Sequence, residues 1–89
     1  MNIDITSRGF TPSSELIELI NAKVEKLSKF DKNISDIKVV LKKESRAEKV
    51  ELIVESKRNT YVSKRYSSAF EKTLVMSIDN IKSQIQKNK

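Results

Sequence analysis

The order in which two hydrophobic periods follow each other constrains the fold of this chain more than any other feature. Apolar residues spaced three and four apart mark an amphipathic helix, whereas apolar residues at every second position mark a half-buried strand. The helical spacing occurs twice, over residues 12–30 and again from Phe70 to Ile85. The alternating pattern occurs four times, over 2–8, 36–43, 49–56 and 60–66. The sequence therefore predicts the order β-α-β-β-β-α.

Turn and capping residues predict where the two helices begin and end. Thr11 and Pro12 are typical of a helix cap followed by the first helical position, where no amide hydrogen is needed. Asn33 is typical of a left-handed residue that closes a helix. Ser68 and Glu71 have the spacing of a capping box. We expect these residues to set the helix boundaries.

The connections predict how the strands are arranged. A strand–helix–strand crossover makes the first two strands parallel, and the short turns that follow make the other pairings antiparallel. Because each helix has a single apolar face, we expect an α+β fold: a four-stranded mixed sheet with both helices packed on one face. The last strand, 60–66, carries charges that suit a sheet edge. The other sheet face mixes charged with apolar residues, namely Lys38, Lys42, Glu51, Lys64, Val40, Ile53, Val62 and Tyr66.

The composition argues against catalysis. The 89 residues contain no Cys and no His, so disulfides are excluded, and general acid–base catalysis and zinc sites lose their commonest residue. A single glycine cannot build a phosphate-binding loop. The serines near the predicted helix starts, Ser13, Ser14, Ser67 and Ser68, have no base to activate them. The sequence predicts a protein that is not an enzyme and that has no cofactor, no metal and no small-molecule substrate.

The size and the hydropathy pattern indicate a single domain in the cytoplasm. With 37% hydrophobic residues, the chain can build one small domain over 1–89, with a modest core. No apolar stretch is long enough to span a membrane, and the N-terminus does not have the pattern of a signal peptide. We expect a cytoplasmic protein.

The positive charge is concentrated in the second part of the chain. The net charge is +6; residues 1–56 carry equal numbers of basic and acidic residues, so the surplus lies in 57–89. The positive electrostatic field of this segment favours binding to polyanions. A basic face can also serve solubility alone. Lys23 stands out, because it interrupts the apolar stripe of the first helix. Two interpretations remain open: its stem covers the edge of the core while its ammonium group reaches solvent, or that group lies between the helices and binds phosphate.

Other lysines favour a phosphate-binding surface. Lys26 and Lys29 flank Lys23, and Lys82 and Lys89 are seven residues apart on the second helix. Lysines projecting from two adjacent helices would form a positive surface for an RNA backbone, which supplies affinity more than sequence readout.

Four segments resemble a known family in order and spacing. Residues 16–30 (LIELINAKVEKLSKF) resemble the first helix of the ribosome hibernation promoting factor and ribosome-associated inhibitor A family, also called sigma-54 modulation proteins. Residues 37–42 (IKVVLK) resemble its second strand, and 70–74 and 81–89 (FEKTL and IKSQIQKNK) resemble its last helix. The chain is similar to the short type, which lacks a C-terminal dimerisation domain.

The resemblance implies a fold like that of double-stranded-RNA-binding domains and a partner, 16S rRNA in the decoding channel of the small subunit. Blocking the A and P sites would silence ribosomes in stationary phase, with the protein a monomer when off the ribosome. Carried over by position, six residues would face rRNA: Lys23, Lys26, Lys82, Gln84, Lys87 and Lys89. Two departures from the family pattern are Ser83, in place of an arginine, and the entry to the last helix, where the acidic-Met/Phe-Tyr pattern common in the family is reduced to Ala69-Phe70-Glu71.

A second function stays open. The older family name suggests a regulator that binds a protein, and here the mixed sheet face would supply the contact surface.

Overall fold

The computed structural model describes residues 1–88 and confirms the predicted order of elements. The elements are β1 (Asn2–Arg8), α1 (Ser14–Val24), a 3₁₀ turn (Glu25–Lys29), β2 (Ile34–Glu44), β3 (Ala47–Ser56), β4 (Thr60–Ser67) and α2 (Phe70–Lys87). Among these residues, no helix is sufficiently long and apolar to span a bilayer.

The four strands form one mixed sheet in the order β1-β2-β3-β4. β1 and β2 are parallel, with Ile3 opposite Ile37. β2 and β3 are antiparallel, as are β3 and β4. The predicted topology is therefore confirmed, and β4 lies at an edge.

One hydrophobic cluster joins the sheet to both helices. Alternate residues in the middle of β2 and β3 lie in this cluster, and α1, the 3₁₀ turn and α2 each bury apolar residues against it. Its most deeply buried members, all at 2% exposure or less, include Ile20, Val24, Leu27, Ile37, Val39, Leu41, Val50, Leu52, Val54, Leu74, Ile81 and Ile85. Since both helices contribute to the same cluster, they cover the same face of the sheet, as predicted.

The start of α1 corrects the prediction that Thr11 and Pro12 begin the helix. The cap is Ser13, whose hydroxyl accepts a hydrogen bond from the amide of Leu16 at 3.1 Å. Ser13 has the extended backbone of a cap residue, so the first helical residue is Ser14.

The chain reaches this cap through a tight turn at Gly9. Gly9 has a φ of 88°, and a Cβ at this position would lie 3.2 Å from the carbonyl oxygen of Lys43. Both facts favour glycine here. Beyond the turn, Phe10 stacks on Phe70 of α2, with 4.9 Å between the ring centroids. This contact packs the turn against the first residue of α2.

The end of the first helix also differs from the prediction. The α-helix stops at Val24 and tightens into the 3₁₀ turn, which still buries Leu27 completely. Among residues 1–88 only Gly9 has a positive φ, so the left-handed closure at Asn33 is wrong. The carboxylate of Asp31 instead accepts the amide of Asn33 at 2.8 Å, a turn that needs no left-handed residue.

The predicted capping box of α2 is wrong as well. The cap position is Ala69, and neither Ser68 nor Glu71 bonds to the helix start. The acceptor comes from β3: a carboxylate oxygen of Glu48 accepts the amide of Phe70 at 2.7 Å. A carboxylate at this end of a helix is favoured by the helix dipole.

Replacing Glu48 with Ala should lower the free energy of unfolding by about 1–2 kcal/mol, because the amide of Phe70 loses a charged acceptor. Urea titration followed by circular dichroism measures the change. Glu71→Ala is the matched control, since it removes a carboxylate from the same turn without removing the bond. If Glu71→Ala lowered the free energy of unfolding as much as Glu48→Ala does, the assignment of Glu48 as the acceptor for the Phe70 amide would be contradicted.

Candidate nucleic-acid interface

A shallow groove runs between the two helices. It has a volume of about 180 Å³ and is lined by Lys23, Lys26, Val75, Ile78, Asp79 and Lys82. Lys23 comes from α1, Lys26 from the 3₁₀ turn and Lys82 from α2. The structure thus brings together three of the predicted lysines, and we call these three residues the basic groove.

The basic groove keeps a net positive charge. Within residues 1–88 the ion pairs lie elsewhere, on the strands β2, β3 and β4, and none involves Lys23, Lys26 or Lys82. Within the described part of the chain, Asp79 is the one carboxylate that lines the groove, against three ammonium groups. Its presence weakens the positive field without reversing it.

An aromatic ring positions Lys82. Its ammonium nitrogen lies 5.0 Å from the centroid of the Phe30 ring, a cation–π contact. Phe30 follows the 3₁₀ turn directly, so the contact ties α2 to the end of the first helical segment. The ammonium group of Lys82 is thereby held beside Phe30, and Lys23 is half-buried where it lines the groove.

Gln84 lies on the other flank of α2. Its side-chain amide donates to the carbonyl oxygen of Val62 and to the side-chain oxygen of Asn80, both at 2.8 Å. Residues two apart on a helix are separated by about 200°, so Gln84 and Lys82 face opposite ways. The first bond also occupies a backbone carbonyl of the edge strand β4, which would otherwise be open to pairing with another strand.

Lys87 and Lys89 do not join the basic groove in the described structure. Lys87 is exposed in the last turn of α2. It lies five positions after Lys82, so the two side chains are about 140° apart around the helix axis. Lys89 lies outside the described residues.

The site prediction omitted two cations that lie close to Phe30, the residue whose ring Lys82 contacts. Lys57 and Arg58 form the turn between β3 and β4 and line a cavity with Phe30 and Ile85. The amide of Lys57 donates to the carbonyl oxygen of Asn33 at 3.2 Å, which ties this turn to the start of β2. The predicted topology could have located these two cations, because the turn after β3 must lie beside the beginning of its antiparallel partner β2.

The arrangement suits electrostatic binding. In the part of the chain that the structure describes, no three His, Cys, Asp or Glu side chains are grouped to hold a metal ion. Ammonium groups at the mouth of a groove between two packed helices offer fixed positions for phosphate oxygens.

Two solved structures have the same fold. A ribosomal subunit interface protein from Coxiella burnetii matches with a TM-score of 0.91 at 23% sequence identity, over 99% of this chain and 97% of that chain. The N-terminal domain of Protein Y from Thermus thermophilus matches with a TM-score of 0.90 at 15% identity, over 100% of both chains. At these identities the likeness establishes the fold. No curated protein matches the chain.

The sequence itself identifies the family. The family model described as sigma 54 modulation protein / S30EA ribosomal protein matches residues 3–89. This confirms the resemblance found in the helices and the second strand, and the family is non-enzymatic, as the composition predicts. Since the match covers nearly the whole chain, the protein belongs to the sigma 54 modulation protein / S30EA ribosomal protein family.

Proposed function

We propose that this protein inhibits translation by binding 16S rRNA in the decoding channel of the small ribosomal subunit. The observation that carries the proposal is the basic groove, in which lysines from two separate helical segments converge and, among the residues that the structure describes, no carboxylate forms an ion pair with them. Family membership supports the ribosome as the partner.

Lysine ammonium groups act as point charges on phosphate oxygens, and they supply affinity and position without reading the bases. Folded RNA is recognised largely by its shape and its backbone. A groove with fixed cations therefore fits a structured rRNA surface better than a free single strand. The protein would occupy the A and P sites as a cytoplasmic monomer, and inhibition would be steric.

The second candidate function, regulation through a protein partner, rests on the sheet face opposite the helices. Val62 and Tyr66 are exposed there, at 44% and 68%. Exposed apolar residues of this kind are common on single domains. The basic groove, by contrast, favours a polyanionic partner.

Salt dependence tests the proposal. If the three groove lysines each neutralise one phosphate, counterion release predicts that affinity for purified small subunits falls roughly 40-fold between 50 and 200 mM monovalent salt. Sedimentation of labelled protein with small subunits, at constant Mg²⁺, measures this fall. Affinity that is independent of salt would argue for the protein-binding function instead.

A competition experiment tests the location. Small subunits loaded beforehand with messenger and tRNA should bind the protein much more weakly than empty subunits, because the decoding channel is already filled. Equal binding to loaded and empty subunits would place the protein elsewhere on the ribosome.

A further inference from the structure

The sheet face opposite the helices carries its charges in ordered rows. At one end of the strands, the register aligns Arg8, Lys42, Lys49 and Tyr66 across all four strands, and we call this set the sheet row. The row at the other end consists of Asn2, Asp36, Glu55 and Thr60. The first row therefore carries three cations and the second carries two carboxylates, and Glu44 and Glu51, which lie beside the first row, form ion pairs with Lys49 and Lys64.

The sheet row opposes folding. Neighbouring strands lie about 4.8 Å apart, and like charges directly opposite each other on adjacent strands destabilise a sheet. Lys42 has Arg8 on one side and Lys49 on the other. Lys49 is paired with Glu44 at 3.2 Å, but within residues 1–88 neither Arg8 nor Lys42 has a carboxylate within 4.0 Å. A bound polyanion would remove this repulsion.

An exposed aromatic ring ends the sheet row. Tyr66 is 68% exposed on the edge strand, whereas the other tyrosine, Tyr61, is buried at 3%. Beside it lies a shallow depression whose lining includes Val40, Lys42, Lys64 and Glu51, and Glu51 forms an ion pair with Lys64. Cations next to an exposed ring on a flat sheet are the elements with which proteins bind single-stranded RNA: the cations contact phosphates and the ring stacks on a base.

We propose that the sheet row binds a single-stranded RNA segment, with Arg8, Lys42 and Lys49 on its phosphates and Tyr66 stacked on an unpaired base. The row spans about 10 Å from Arg8 to Lys49, the width of three strands. It lies on the opposite side of the sheet from the basic groove. The protein thus holds two RNA elements at once, a folded one at the helices and an unpaired one at the sheet. This inference deepens the proposed function by naming a second RNA contact.

Fluorescence anisotropy with labelled 12-nucleotide oligouridine and oligoadenosine tests the sheet row directly. Tyr66→Ala should weaken binding roughly 5- to 100-fold and leave the salt dependence unchanged, because it removes stacking only. Tyr66→Phe should keep the wild-type affinity. The double variant Lys42→Gln/Lys49→Gln should reduce the slope of log affinity against log salt by about 1.4, the value for two phosphate contacts on a single strand.

Lys72→Gln is the matched control, because Lys72 is an exposed lysine on the helical side of the molecule. It should bind both oligonucleotides like the wild type. Wild-type affinity in Tyr66→Ala would overturn the proposal. The proposal would also be overturned if polyglutamate competed with the labelled RNA as effectively as unlabelled oligonucleotide does. In that case the sheet row would bind an acidic protein segment.

A stability measurement that needs no RNA tests the same row. Lys42→Glu replaces repulsion from Arg8 and Lys49 with attraction, so the melting temperature should rise by about 2–6 °C while oligonucleotide binding weakens. Lys72→Glu should not produce this rise. An unchanged melting temperature in Lys42→Glu would show that no repulsion is stored in the row, and the argument for a polyanion there would fail.

These results are separable from a test of the proposed function. If only the sheet row is wrong, small-subunit binding keeps its salt dependence and its need for the groove lysines. If only the decoding-channel proposal is wrong, subunits filled with messenger and tRNA bind the protein as well as empty subunits do. Tyr66→Ala still weakens oligonucleotide binding in that case.

Discussion

A variant carrying Lys26→Glu together with Lys82→Glu should bind small ribosomal subunits at least about 100-fold more weakly than the wild type. Each substitution removes a charged contact, worth about 1.5–3 kcal/mol, and adds a repulsive charge. The two residues come from different helical segments but line the same groove. Sedimentation with purified small subunits at fixed ionic strength measures the loss, and the salt dependence of the remaining binding should be shallower.

The control must carry the same change in net charge away from the groove. Arg46→Glu/Lys72→Glu meets this condition, since both side chains are exposed and neither lies in the basic groove. This control should lose little affinity. An equal loss in the two variants would mean that overall charge, rather than the groove, determines binding.

Lys82 needs a further variant because it also contacts Phe30. Lys82→Arg keeps the positive charge and the cation–π contact, so it should preserve both the melting temperature and most of the affinity. If Lys82→Arg bound as weakly as the double variant, a change in packing rather than in charge would explain the loss.

The sequence predicted the fold well because hydrophobic periodicity reports directly which face of each element is buried. The five apolar residues of the last helical pattern, Phe70, Leu74, Ile78, Ile81 and Ile85, are all buried in the structure. The helix ends were predicted less well, because they depend on tertiary contacts. The first amide of α2 is bonded by Glu48, which lies 22 positions earlier in the chain. No local pattern at 68–71 could reveal that partner.

The site was only partly predictable for a related reason. Helical spacing could place Lys23, Lys26 and Lys82 on facing flanks, and the structure brings them together. It could not show that the amide of Gln84 is bonded to the backbone of β4. Sums of charge along the chain also hid the sheet row, since Arg8, Lys42 and Lys49 all lie in the segment that is neutral overall. Only the strand register places them side by side.

Replacing Ile81 with Ala should cost about 3 kcal/mol of stability, because Ile81 is fully buried where α2 packs on the sheet and its loss leaves a cavity. A domain of this size has about 4–13 kcal/mol in total, so the loss is a large share. In urea the unfolding midpoint should fall by about 2 M. Val75→Ala, on the same helix but 41% exposed, should change the stability by less than about 0.5 kcal/mol.

This pair of variants also connects the core with the basic groove. Ile81 directly precedes Lys82, so the packing that buries Ile81 fixes the direction in which the lysine leaves the helix. At a temperature where Ile81→Ala is still folded, its affinity for small subunits should fall. A midpoint shift in Ile81→Ala no larger than that in Val75→Ala would contradict the packing of α2. Undiminished affinity in a destabilised but folded Ile81→Ala would show that Lys82 does not depend on this packing for its position.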